Sequence, residues 1–380
     1  MVEGRFARLT AIQWWDHQRV AGARVLVIGA GALGNEVVKN LALLGVGHLV
    51  IVDRDCVEMS NLTRSVLFRE SDTGRPKASC AAQAAQEIYP ALRVQAITGN
   101  VLADVGLGYF RWADVVVGAL DNREARVFVN SACARVGRVW IDGGIEVMHG
   151  LVRGFAPPKT ACYECTMSQV DWQLLNQRRS CLQLARRAVA AGGTPTTPIT
   201  ASVIGALQAQ EVIKFVHGMD SLLGRGWFFD GASYDCYPVS YPINPDCPWH
   251  FPPPPIEPVA SFTANTPLQT IADYAAQRLG GLDALDFARE LVERLQCPSC
   301  GQEQFVWQPA EHIQEDQARC ARCGNECYPL FCHSLPAGSA WLARSANQLG
   351  LPRWEIVWAR YGENMLGIEL AGDAPSEMSR

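Results

Sequence analysis

The stretch from Arg24 to Asp53, RVLVIGAGALGNEVVKNLALLGVGHLVIVD, constrains the fold more than any other part of the chain. An apolar run enters a glycine turn, an amphipathic helical pattern follows, and a second apolar run ends on an acid. This is a β-α-β unit with Gly29, Gly31 and Gly34 in the spacing GxGxxG. In such a unit Gly29 permits the tight turn, Gly31 lets the backbone approach a phosphate and Gly34 allows close helix packing. The free amides at the helix N-terminus attract an anion. Asp53 follows Gly34 by 19 residues (53 − 34), where a carboxylate accepts hydrogen bonds from ribose hydroxyls. Taken alone, the pattern most often marks a nicotinamide or flavin cofactor, so a dinucleotide oxidoreductase is one reading of it.

The alternation continues, with strands expected over 94–97, 114–118 and 139–142 and helices over 77–88 and 123–135. The fold class is therefore α/β, a doubly wound, mostly parallel Rossmann-like sheet. Residues 144–155 read as further strands and 199–216 as a long helix packed back on the sheet. Between them, 167–198 is rich in Gln, Arg, Ala, Gly, Thr and Pro and reads as a crossover segment. The proline run FPPPPIEP favours an extended spacer, which puts a first domain over 1–250, a linker over 251–262 and a C-terminal domain over 263–380. In that last domain helices are expected over 268–279, 282–295 and 341–349, with two strands within 355–370, an α+β arrangement.

At 380 residues the chain can bury a large core, and 48% hydrophobic with 19% charged residues excludes disorder as its main state. The formal charge, 33 − 38 = −5, comes without a basic tract, so nucleic acid is not expected as a partner. No apolar window approaches the ~18 residues that cross a bilayer, and the start lacks the pattern of a signal peptide. A soluble, cytoplasmic protein with no membrane partner is expected. In a reducing compartment its 14 cysteines favour metal over disulfides. Cys162-Tyr-Glu-Cys165 and Cys247-Pro-Trp-His250 offer three thiolates and an imidazole, a full tetrahedral zinc set and hence a structural one. Cys297-Pro-Ser-Cys300 and Cys320-Ala-Arg-Cys323 match a zinc ribbon over 297–323, with Cys327, Cys332 and His333 as competing ligands. Two structural zinc ions are expected.

After Asp53 come Asp55, the string Ser-Asn61-Leu-Thr-Arg64, then Gly74-Arg-Pro-Lys77 and Leu120-Asp121-Asn122. As an ordered set with the glycine turn, these resemble the ThiF, MoeB and ubiquitin-activating superfamily over about residues 5–250. The resemblance implies an ATP-dependent adenylation domain that joins AMP to a protein's C-terminal carboxylate. It also implies that Arg64 and Lys77 face the phosphates, that Asn61 bonds a phosphate oxygen and that Asp121, beside Asn122, holds Mg²⁺. The residue types suit that chemistry, because negative charge accumulates on the phosphates during the displacement. Read without the family, Arg64 and Lys77 are solvated charges, Asn61 a turn former and Asp121 a helix N-cap. Arg8, in Arg5-Phe-Ala-Arg8, resembles the family's arginine that reaches a partner subunit's ATP site, which implies a homodimer. Family members carry CxxC at both places of the first hook pair, and here His250 stands where the last cysteine is expected.

Cys181 lies in the crossover segment among Arg178, Arg179, Arg186 and Arg187 and belongs to neither zinc set. Positive potential favours a thiolate, the form that attacks an acyl adenylate. In the family this segment carries the cysteine that takes the activated carboxylate or receives sulfur. The resemblance thus implies activation of a ubiquitin-like protein, thioester formation on Cys181 and transfer to a conjugating enzyme. The alternative is adenylation of a ThiS- or MoaD-like sulfur carrier for thiamin or molybdopterin synthesis. The crossover and C-terminal extension look similar to those of bacterial ubiquitination-like systems associated with phage defence.

Overall fold

The computed structural model describes residues 4–180 and 195–376. They fall into two compact units, the first drawn from Met1–Val101, Phe110–Thr166 and Gly193–Pro252, the second from Leu102–Tyr109, Met167–Gly192 and Pro253–Arg380.

The first unit is built on an eight-stranded sheet of β1 (Arg24–Ile28), β2 (His48–Asp53), β3 (Arg93–Thr98), β4 (Val115–Gly118), β5 (Val139–Glu146), β6 (His149–Phe155), β7 (Arg225–Asp230) and β8 (Asp235–Ser240). Its order is β3-β2-β1-β4-β5-β6-β7-β8. The first five strands in that order are parallel, and β6, β7 and β8 add antiparallel partners at one edge. Because β1 is covered on both faces, Val25 to Ile28 are all buried, and each such side chain contributes about 1.5–3 kcal/mol. The Ala32–Leu44 helix buries Leu33, Val37, Val38 and Leu41, a stripe at helical spacing. The Pro198–Val216 helix, capped by Thr197, packs against it, and Ser202 Oγ donates to Glu36 Oε1 at 2.9 Å. Pro198–Val216 is long and apolar enough to cross a membrane, but half of its apolar window is buried in this unit. It is a core helix. The strands β7 and β8 had no counterpart in the sequence reading.

The second unit holds β9 (Ile256–Pro258), β10 (Ala284–Gln296), β11 (Glu303–Pro309), β12 (Tyr328–Pro336), β13 (Ile356–Tyr361) and β14 (Asn364–Glu369). Its sheet runs β11-β10-β13-β14-β9, with β12 also paired to β10. The Leu268–Leu279 helix forms where the sequence predicts it and buries Leu268, Ile271, Ala272 and Ala275. Two expectations are corrected. Residues 282–295, expected as a helix, lie largely in β10, where Leu285, Phe287, Arg289 and Leu291 are buried in alternation before the phase changes to Val292 and Leu295, so its apolar residues fall at helical spacing. Register shifts at Asp286/Leu291 and Val292/Arg294 add to that disguise. The helix expected over 341–349 is two short 3-10 turns, Ala340–Ala343 and Asn347–Leu349. Within the proline run, Ile256–Pro258 pairs with β14 at the sheet edge, the position where a strand tolerates proline.

A buried ion pair fixes the second unit. Arg289 Nη2 stands 2.5 Å from Glu355 Oε2, both side chains being 2% exposed. Arg289 also donates to the carbonyls of Leu102 and Val105 at 2.8 Å, and Glu355 Oε1 accepts from Leu107 N–H at 3.2 Å. Glu355→Gln leaves the guanidinium buried without its counter-charge and is expected to cost about 3–5 kcal/mol, measured as a fall in the unfolding midpoint of this unit in urea.

Candidate functional site

The strand order reverses between β1 and β4, and ligands of open α/β sheets bind outside the carboxyl ends of the strands at such a point. Three loops converge there in sequence terms: Gly29 to Gly34 after β1, residues 53–68 at the end of β2, and Ala119 to Asn122 after β4. Gly29 has φ +99°, and a Cβ there would stand 2.3 Å from the carbonyl oxygen of Ala119. At Gly34 a Cβ would stand 1.9 Å from the Gly29 carbonyl oxygen. Only glycine lets the turn, the helix and the β4 loop approach this closely. At Gly31, the N-cap of the Ala32–Leu44 helix, a Cβ would meet no protein atom within 4 Å, so the backbone faces open space.

Asp53 does a job here that the sequence reading did not assign. Ala30 N–H donates to its Oδ2 at 2.6 Å and Asp55 N–H to its Oδ1 at 2.8 Å, so the carboxylate braces the turn. Burial raises its pKa, and the two amides act in the opposite direction. Asp55 is exposed and paired with Lys77, whose Nζ lies 3.2 Å from Asp55 Oδ2 at the start of the Lys77–Ile88 helix. Asn61 Oδ1 accepts from Glu58 N–H at 2.9 Å within a 3-10 turn, as a turn former does. Arg64 Nη1 donates to the Ser60 carbonyl at 2.7 Å. Asp121 is exposed, and Asn122 Nδ2 donates to its Oδ1 at 3.0 Å. The N-cap of the Arg123–Val136 helix is Asn122, which accepts from Ala125 N–H at 2.8 Å, and not Asp121. Arg8 is exposed on the short Ala7–Thr10 helix, and Cys181 lies outside the described residues.

Sequence reasoning missed the residues that fasten these loops. Asn35, fully buried, donates to the carbonyls of Ala30 and Gly31 at 2.7 and 3.1 Å and accepts from Leu67 N–H at 2.8 Å. It ties the glycine turn to the loop that bears Asn61 and Arg64. Arg126, Asp142 and Arg153 form a second fastening, with Arg126 Nε 3.0 Å from Asp142 Oδ1 and Arg153 paired to Asp142 Oδ2. The available signal was polar side chains breaking an apolar helical stripe and an apolar strand.

Both expected ligand sets assemble. Cys162, Cys165, Cys247 and His250 bring their ligand atoms within 4.8 Å of one another, as do Cys297, Cys300, Cys320 and Cys323. A tetrahedral zinc with bonds of about 2.3 Å needs sulfurs roughly 3.8 Å apart. The separations are 3.8 Å for Cys162 and Cys165, 3.5 Å for Cys162 and Cys247, 3.4 Å for Cys297 and Cys323 and 3.5 Å for Cys300 and Cys320. The donors fit the ion. Of the competing thiols, Cys332 donates to the Ser334 carbonyl, and neither it nor Cys327 or His333 joins the cluster. Each ribbon knuckle closes alike, with Gly301 N–H on the Cys297 carbonyl at 3.0 Å and Gly324 N–H on the Cys320 carbonyl at 2.8 Å.

A family model described as the ThiF family matches residues 5–249. The chain belongs to the ThiF family. It is 33% identical over 231 residues to the SAMP-activating enzyme E1 of Haloferax volcanii, covering 60% of this chain and 81% of that one. It is 32% identical over 237 residues to the sulfur carrier protein adenylyltransferase of Thermus thermophilus, covering 61% and 83%. MccB of E. coli, solved with ATP, superposes with a TM-score of 0.54 at 23% identity over 66% of this chain and 74% of that one, a likeness of fold. The ThiF match ends before His250 and leaves the second unit's four-cysteine cluster outside it. Elemental analysis of the purified protein is expected to give two zinc per chain. Cys320→Ser should leave one and melt the ribbon first, which near- and far-ultraviolet circular dichroism would register.

Proposed function

We propose that this ThiF-family enzyme adenylates the C-terminal carboxylate of a ubiquitin-like or sulfur-carrier protein. The observation that carries the reading is the open backbone at Gly31, the N-cap of a helix that no side chain caps, with the loops of Lys77, Arg64 and Asp121 following the ends of β2 and β4. ATP is the substrate that such a cradle takes, its phosphates on the helix N-terminus and its ribose toward Asp53. A carboxylate oxygen of the carrier attacks the α-phosphorus, the bond from that phosphorus to the bridging oxygen breaks, and pyrophosphate leaves. Arg64 and Lys77 neutralise the charge gathering on the phosphate oxygens, and Asn61 adds a hydrogen bond. Lys77 is only 12% exposed and meets Asp55 now, so an incoming phosphate competes with a carboxylate for it.

Asp121, with Asn122 Nδ2 bonded to it, would hold Mg²⁺ through its carboxylate, an ion that screens the phosphates and the departing pyrophosphate when bound. Arg8 is the residue a second copy would contribute, which makes the active species a homodimer. Capture follows on Cys181, whose thiolate attacks the acyl carbon of the adenylate while the carbon–oxygen bond to AMP breaks and AMP leaves. A conjugating enzyme then receives the acyl group.

Two carrier classes fit, because relatives at 33% and 32% identity are named for one and the other. Incubation with ATP, Mg²⁺ and candidate carriers of each class, with carrier-dependent exchange of labelled pyrophosphate into ATP as the readout, distinguishes them. Asp121→Ala is expected to lower that exchange by at least about 10²-fold, and exchange at the unsubstituted rate would refute the assignment. Cys181→Ala should keep exchange and lose the thioester seen on non-reducing gels.

A further inference from the structure

Asp121 stands three residues beyond Gly118, the last paired residue of β4, on an exposed loop, and a metal-binding carboxylate is useful only if that loop is held. Asn122, which donates to the Asp121 carboxylate, moves with the same loop. The backbone just before it is anchored from below. Arg126 Nη2 donates to the Leu120 carbonyl at 2.6 Å and to the Gly143 carbonyl at 3.0 Å, while Nε donates to Asp142 Oδ1 at 3.0 Å. One guanidinium therefore ties the β4 loop to β5.

The anchor is itself rigid. Asp142 is fully buried, and its other oxygen accepts from Arg153, whose side chain is 14% exposed and whose Nη1 donates to Thr166 Oγ1 at 3.3 Å. Arg126 is 12% exposed and sits one turn into the Arg123–Val136 helix, four residues after its N-cap, Asn122. The same helix turn thus fixes the loop twice, through the cap on Ala125 N–H and through the Leu120 carbonyl. Gln208 Nε2, donating to the Gly118 carbonyl at 2.8 Å, holds the end of β4 from the opposite face.

We propose that Arg126 is the positioning residue for Asp121: its bridge from Asp142 to the Leu120 carbonyl sets where the Asp121 carboxylate stands for its cation. This rests on the reading of Asp121 as the metal-binding carboxylate. A planar fork with fixed donors reaches three acceptors at once, whereas an ammonium on a flexible stem keeps the charge beside Asp142 and loses the simultaneous bridge. A displacement of about 1 Å at such a site costs on the order of 10²-fold in rate, and the effect falls on cation binding before it falls on ATP.

The test uses the full chain with ATP bound and Mn²⁺ as the probe, its affinity read by electron paramagnetic resonance. Arg126→Lys is expected to weaken Mn²⁺ about tenfold, to raise the Mg²⁺ needed for half-maximal pyrophosphate exchange by a similar factor, and to leave ATP affinity without metal unchanged. In an Asp121→Asn background the same substitution should add nothing. Unchanged Mn²⁺ affinity in a cooperatively melting Arg126→Lys protein, or losses that add fully in the double variant, would overturn the proposal. Where the lysine variant loses cooperative melting, Arg126→Gln is read the same way, and failure of both to fold would make Arg126 a structural residue and also overturn it. Undiminished Mn²⁺ affinity in Asp121→Asn alone identifies a different failure, that of the metal role of Asp121, and removes the proposal with it.

Discussion

The carboxylate of Asp53 decides how the ends of β1 and β2 are held, and the nucleotide end of the first unit depends on it. Each of its oxygens takes a backbone amide, Ala30 from the glycine turn and Asp55 from its own strand end. Burial disfavours the charge, as its raised pKa records, and two amide donors aimed at it offset part of that cost. A glycine turn left to itself would be loose, since glycine loses the most conformational freedom on ordering. Asp53 on one side and Asn35 on the other remove that freedom before any ligand arrives. The cradle is preorganised, which is what electrostatic stabilisation of a charged transition state requires.

Much of this was legible in the sequence, and the limits of legibility are physical. The β-α-β unit reads directly because a parallel strand buried on both faces is a continuous apolar run and the helix after it keeps a clean stripe. The Leu268–Leu279 helix is legible for the same reason. The strand β10 is not, because register shifts interrupt its alternation and give ALDFARELVERLQ the spacing and composition of a helix. The strands β7 and β8 are short and partly exposed, with aromatic and polar residues mixed, so their pattern is faint until β6 offers an edge to pair with.

At the site, motif residues were legible and their supports were not. Gly29, Gly34 and both sets of metal ligands are chosen by spacing, which survives in the linear chain. Asn35, Arg126, Asp142 and Arg153 are chosen by partners that only folding supplies, such as Leu67 for Asn35 and Leu120 for Arg126. Asp53 lies between the two kinds. Its position was readable, and its role as a brace was not, because the amides that it binds belong to the turn's conformation and not to any side chain.

The two cysteine clusters follow the same electrostatic logic from the other direction. With a divalent ion bound, three thiolates and a neutral imidazole carry one formal negative charge, and four thiolates carry two. The cost of burying net charge rises steeply with its size. Each set has two buried members, Cys162 and Cys247 at 0% and 6% exposure and Cys297 and Cys320 at 1% and 5%, and they differ at the fourth ligand, where His250 is half-buried and Cys323 is exposed. The sulfurs of this set also receive donors, Asn130 Nδ2 on buried Cys162 at 3.5 Å and Asn244 N–H on half-buried Cys165 at 3.4 Å. His250 in place of a cysteine is therefore a replacement that suits its surroundings. It lowers the charge at a half-buried fourth position, and the ribbon keeps its fourth thiolate where water reaches.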